Sequence, residues 1–210
     1  MTTLPVALTR DRDFMKLWAA QAVSTFGARI TREGLPMTAV LTLGASPATL
    51  GVLAALSYGP AFFVGLFGGG FVDRRHRRPI LIAADLVRAG VLITVPIAAW
   101  LGWLSLWQVF AAAVAVGAAS VLFDMADHAY LPALIGTERL VDGNSKLSAT
   151  EVGGRARRPG PGRLPVPVAH RPFAIAVNAV TYLVSAVFLM GIQKVEPDPS
   201  PCRPSTGSPT

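Results

Sequence analysis

Apolar residues in this chain come in long blocks separated by short polar breaks, rather than at the spacing of surface helices or strands. A bilayer core takes about 20 apolar helical residues to cross. The first block of that size runs from Leu17 to about Leu43, interrupted by "ARITRE" with Arg29, Arg32 and Glu33. "GASP" then predicts a short turn. A second block runs from Ala48 to Val72 without a charge and ends at the hydrophilic "DRRHRRP". A third runs from Ile80 to about Trp103, with Asp85 and Arg88 near its start, and closes on the uncharged turn "GWLS". A fourth runs from Leu106 to about Phe123 and continues, less apolar, through "DMADHAYLPALI". A last clear block covers Phe173–Ile192.

The breaks differ from one another. Residues 1–16 are polar and carry Arg10, Asp11, Arg12, Asp13 and Lys16, so they form an N-terminal segment, not a cleavable signal. Residues 136–151, "GTERLVDGNSKLSATE", predict a polar loop, with Asn144 or Ser148 able to cap a following helix. Residues 195–210 are rich in proline and serine and predict a disordered tail.

Basic loops stay in the cytoplasm. The N-terminal segment has three basic residues and the 73–79 loop has four arginines, whereas "GASP" and "GWLS" have no charge. This pattern predicts a multi-pass plasma-membrane protein with residues 1–16, 73–79, 136–151 and the tail all facing inward. Five spans would leave the tail outside. The charge pattern therefore requires one more crossing between residues 151 and 172.

Composition agrees with the membrane reading. Charged residues make up 15% of the 210, against about 25% in soluble domains, and 52% are hydrophobic. Mean hydropathy is +0.49. The formal charge of +7 invites a nucleic-acid reading, but Arg155, Arg157, Arg158, Arg163 and Arg171 supply five of those charges. Without them the balance is +2, and no nucleic-acid partner is expected. The single cysteine, Cys202, excludes an internal disulfide. His76, His128 and His170 are too scattered for a metal site, and no nucleophile–base set is visible. No enzyme activity and no cofactor are expected.

The most informative stretch is "GGFVDRRHRR" at 69–78, of the form G-x-x-x-D-R-x-x-R-R. Gly69 lets a neighbouring helix approach closely. Asp73 can cap a helix start or pair with an arginine. Arg74, Arg77 and Arg78 anchor the loop on the inner side. The stretch resembles the signature loop between the second and third helices of the major facilitator superfamily. "LWAAQAVSTFGARITREGLP", "FDMADHAYLPALI" and "NSKLSAT" are similar to the branch of enterobactin-exporter-like and macrolide or multidrug efflux carriers. His76 stands where that signature has a second glycine. Asp127 or His128 stands where the branch often has an arginine.

The resemblance implies an all-α integral membrane fold, the N-terminal six-helix half of a major facilitator bundle, over residues 17–194. It implies two such halves with the substrate path between them, alternating access, and export of a small molecule against proton entry. The chain ends where the second half would begin, so transport by this chain alone is not expected. The other reading is a small membrane-embedded interaction protein, or a half-transporter that pairs with another bundle. In either case the lipid bilayer is the first partner.

Residues 145–170 would hold the fifth helix. Pro159, Pro161, Pro165 and Pro167, with the arginines among them, oppose a spanning helix there. An interior proline costs about 3 kcal/mol, and a central arginine about 2.5–3.5 kcal/mol to insert. Residues 155–171 read either as a basic external loop that binds an anion or as a frame-shifted segment. For one choice of GC-rich codons, reading one base later restores a glycine-rich apolar helix.

Several residues carry two readings. Arg29, Arg32 and Glu33 lie mid-span, where charged groups usually face a cavity. They are candidates for the substrate and proton path, or Arg29 and Glu33 neutralise each other at i, i+4, or the helix ends early near the outer surface. Asp85 and Arg88 belong to a charge network around Asp73 that steadies one conformation, or form an interfacial pair. Asp124 and Asp127 sense protons, or merely share a helix end. Trp100, Trp103 and Trp107 predict an aromatic belt at the outer surface. "AAAVAVGAAS" at 111–120 predicts a close packing face, and Gly59-Pro60 predicts a kink.

Overall fold

The computed structural model describes residues 12–135 and 171–192. Five helices make up the described chain: α1 (Arg12–Leu43), α2 (Pro47–Asp73), α3 (Arg77–Trp100), α4 (Leu106–Ile135) and α5 (Arg171–Met190). No strand occurs among the described residues. By length and composition, Pro47–Val72, Arg77–Trp100 and Leu106–Pro132 can each cross a membrane. The fold is an all-α integral membrane fold. Residues 155–170 of the basic segment, the loop at 136–151 and the tail at 195–210 lie outside the described residues, and Arg171 opens α5.

Local chemistry sets the helix ends. Gly44 takes φ +61°, which a side chain would oppose, and lets α1 stop. Ser46 then caps α2: the Thr49 N–H donates to its Oγ at 3.3 Å, and Pro47 occupies the first turn, where no N–H is needed. Gly102 repeats the device with φ +73° after α3. The Trp103 N–H returns to the Ala98 carbonyl at 2.9 Å, and Ser105 caps α4 through the Gln108 N–H at 3.3 Å. Pro60 lies inside α2, which nevertheless continues as one helix to Asp73.

Burial reveals two apolar clusters at opposite ends of the bundle. One joins Phe14 and Leu17 of α1, Val72 of α2, Ile80 and Leu81 of α3, Tyr130 and Leu134 of α4, and Leu189 of α5. The other joins Leu35, Leu53, Leu92, Val109 and Ile175. The two sets give the helix directions. From α1 to α4 successive helices alternate, but α4 and α5 point the same way. Leu134 and Ile175 therefore sit at opposite ends of the bundle. This is the parity that loop charge requires of a chain with one further crossing.

Lys16 and the arginines of the 73–79 loop lie at the first end. The Lys16 amine donates to the carbonyl of Gly191 there. Arg78 donates to the carbonyls of Leu189 at 3.0 Å and Met190 at 2.6 Å, placing a cation where the α5 dipole is negative. The other end has the two uncharged turns. Trp100, Trp103 and Trp107 gather around the second turn and are 88%, 79% and 80% exposed, as an aromatic belt requires.

α2 is the least buried helix. It packs chiefly on α4 and barely meets α1 or α3. Phe62, Phe63, Leu66 and Phe67 are exposed along it. Water would penalise such a face heavily, whereas lipid tails do not.

Candidate functional site

Between the two apolar clusters lies a polar layer. Ser24 and Thr31 of α1, Asp85 and Arg88 of α3, and Asn178 and Ser185 of α5 are all buried within it. Unpaired polar groups in a membrane interior cost several kcal/mol, so the layer has to satisfy itself. The Asn178 amide donates to Thr31 Oγ1, and Thr181 Oγ1 donates to Asn178 Oδ1 at 3.0 Å. Ser185 Oγ donates to the Ala20 carbonyl at 3.0 Å. Gly27 makes this contact between α1 and α5 possible, because a Cβ there would run into Asn178 and Thr181.

The centre of the layer is an ion pair. Arg88 Nη2 donates to Asp85 Oδ1, and Ser24 Oγ donates to the same oxygen at 3.5 Å. Asp85 is 0% exposed and Arg88 2%. The guanidinium also lies 4.4 Å from the ring centroid of Phe123 and 4.5 Å from that of Tyr182. Two aromatic faces thus hold the cation in a place where water cannot. With about 1.5 Å of rise per residue, Arg88 stands about 16 Å into α3. That is the middle of the helix, deeper than the end position its sequence suggests.

Arg88 also forms part of the wall of a cavity of about 450 Å³ bounded by all five helices. Its apolar wall includes Leu35, Leu53, Val116 and Phe123, and its polar groups include Ser57, Ser120, Tyr58 and Asp124. Such a space, mostly apolar with a few placed polar groups, suits a small amphipathic molecule. At its edge α2 and α4 cross closely: a Cβ on Gly117 would strike the Ser57 carbonyl, with Pro60 beside it.

The structure sorts the mid-span charges of α1. Arg32 lines the cavity and is exposed to it. Glu33 is exposed and Arg29 partly buried, and neither is on the cavity wall. The charge pair of α3 meets the cavity through Arg88, with Asp85 behind it. On α4, Asp124 is a cavity residue, while Asp127 is buried. Asp127 Oδ2 accepts from the Gln21 amide of α1, and its Oδ1 has no hydrogen-bond partner among the described residues.

The signature loop is divided by role. A Cβ at Gly69 would meet only the Met125 side chain, at an ordinary 3.8 Å, and the tighter approach falls at Gly68. Arg74 is exposed at the end of α2, Arg77 begins α3, and Arg78 holds the end of α5. The Asp73 side chain is outside the described residues. Among the described residues no group of His, Cys, Asp and Glu could hold a metal.

Sequence reasoning missed the α5 half of the polar layer. The signal was present as Asn178, Thr181, Tyr182 and Ser185, three or four residues apart and so on one helical face.

No curated protein and no solved structure matches the chain. A family model described as transmembrane secretion effector matches residues 3–202, which include the cavity, the polar layer and the signature loop. With nearly its whole length matched, the chain belongs to the transmembrane secretion effector family of major facilitator transporters.

Proposed function

We propose that the chain is one bundle of an exporter that moves small amphipathic or drug-like molecules out of the cell, coupled to proton entry. The family is one of transporters and not of enzymes. The finer reading, efflux of the enterobactin-exporter or macrolide type from a plasma membrane with the N-terminus inside, rests on the sequence resemblance. The observation that carries it is the mid-depth cavity, whose apolar walls hold Arg32, Arg88 and Asp124. Transporters of this kind bind substrate near the midplane, between two bundles that rock around it. One bundle supplies one side of that path, so transport requires a second.

The exposed aromatic face of α2 favours a related reading, in which the chain pairs with another bundle as a half-transporter or acts as a membrane-embedded interaction protein. Dye accumulation in cells separates the two readings. The chain is expressed alone and together with the C-terminal bundle of a major facilitator carrier. Lower accumulation in the paired cells, reversed by a protonophore, supports the exporter. Unchanged accumulation despite stable co-purification supports an interaction role, and unchanged accumulation without co-purification sinks both.

A further inference from the structure

A second concavity lies away from the cavity and owes nothing to the transport reading. α2 and α3 both pack on α4 but scarcely on each other. The gap between them is a groove of about 840 Å³. Its walls are Phe71 of α2 and Ile80, Ala83 and Val87 of α3, and its floor is Ala115, Ala118 and Leu122 of α4. The small-residue run of α4 thus has two uses. Gly117 serves the close crossing with α2, and the alanines keep the groove floor low.

The groove is apolar along its length and basic at one end. Arg74, Arg75 and His76 form its mouth and are exposed. The Arg75 guanidinium lies 4.9 Å from the centroid of the Phe71 ring, where the apolar wall meets the charged rim. A guanidinium stacked in this way keeps its in-plane N–H donors available for a phosphate. Arg78 is different, because it is committed to the end of α5. From Pro79 to Val87 the groove runs about 12 Å along α3, comparable to one leaflet of a bilayer core about 30 Å thick.

We propose that this groove is a binding site for an anionic glycerophospholipid of the leaflet that the 73–79 loop faces. One acyl chain lies along Ala83, Val87 and the α4 alanines, and the phosphate meets Arg74 and Arg75. Neither half of the site explains the other except through a ligand that is apolar over one leaflet and negative at the surface. A soluble anion would leave the apolar groove unused, and a net-neutral lipid would offer the paired arginines a phosphate already offset by its own ammonium.

Native mass spectrometry of the full chain tests the site, after equilibration with an equimolar mixture of phosphatidylglycerol and phosphatidylcholine. We expect about tenfold preferential retention of phosphatidylglycerol. The preference should fall to parity in R74Q/R75Q, persist in R74K/R75K, and disappear in A83W, which fills the groove without touching charge. Far-UV circular dichroism and thermal melting in phosphatidylcholine establish that each variant is folded. Equal retention of both lipids by the unaltered chain overturns the proposal. So does a preference that survives both R74Q/R75Q and A83W. Displacement of the lipid by glycerol 3-phosphate at matching concentration also overturns it, because the site would then be one for a free phosphate.

Discussion

Arg88 lies between Phe123 and Tyr182, 4.4 Å from one ring centroid and 4.5 Å from the other, while its guanidinium pairs with Asp85 on the same helix. Two kinds of attraction thus compensate one desolvated charge. Removing the cation alone leaves Asp85 buried and unbalanced. We expect Arg88→Leu to destabilise the bundle by about 3–5 kcal/mol. Arg88→Lys should recover only part of this, because an ammonium lacks the planar face that stacks on the rings. Asp85→Asn combined with Arg88→Gln should be milder than Arg88→Leu. Thermal melting in detergent micelles reads all three, and a double variant worse than Arg88→Leu would contradict the pairing.

Gly27 admits Asn178 and Thr181 to the surface of α1. Gly27→Val places a branched side chain in that space. We expect a loss of about 1–3 kcal/mol from overpacking, with separation of α1 from α5 seen as faster amide exchange across 175–185. A Gly27→Val variant that melts with the parent would show that the helices do not approach so closely.

Arg78 holds the last carbonyls of α5. Arg78→Gln removes a charge-assisted contact of about 1.5–3 kcal/mol and leaves helix-end carbonyls without a cation. Exchange at residues 187–192 should accelerate while α2 and α4 stay unchanged. Uniform acceleration across the bundle would instead mean that Arg78 supports the whole fold.

Asp127 is buried against α1, with one oxygen bonded to Gln21 and the other without a hydrogen-bond partner among the described residues. Asp127→Asn keeps the shape and an acceptor while removing the charge, so stability should hold or rise. Asp127→Leu should cost about 1–3 kcal/mol, because the Gln21 amide loses its acceptor. Melting of the two variants side by side checks this. Similar losses in both would mean that the charge itself is needed.

The arrangement of ends is tested chemically. Cys202 is the only cysteine, so Cys202→Ser gives a clean background. Cysteines placed at His76 and at Trp103 should label from opposite sides of the membrane, with position 76 reached only after permeabilisation. Labelling of both positions from outside intact cells would overturn the orientation.

Much of this was legible in the residues. Long apolar runs gave α2, α3, α4 and α5 to within a few positions, since lipid tolerates few exceptions to apolarity. Gly44, Ser46, Gly102 and Ser105 marked the turns through their own backbone chemistry. The parity requirement also came from loop charge, and the structure meets it in the shared direction of α4 and α5. Depth was harder to read. Asp85 and Arg88 looked close to a helix end because the sequence does not say how far α3 extends before Ile80. The α5 side of the polar layer went unseen because Asn178 and Ser185 are uncharged and scarcely interrupt an apolar run. The division among Arg29, Arg32 and Glu33 depended on the rotation of α1 against α2, which no local pattern records.

The slender attachment of α2 has a mechanical corollary. Widening the cavity toward α1, α3 or α5 means tearing hydrogen bonds and an ion pair across the polar layer. Widening it toward α2 strains one seam, where the Ser57 carbonyl rests against Gly117. A guest too large for the present space therefore has a single compliant wall to lean on, and that wall is the helix whose outer side carries the exposed phenylalanines.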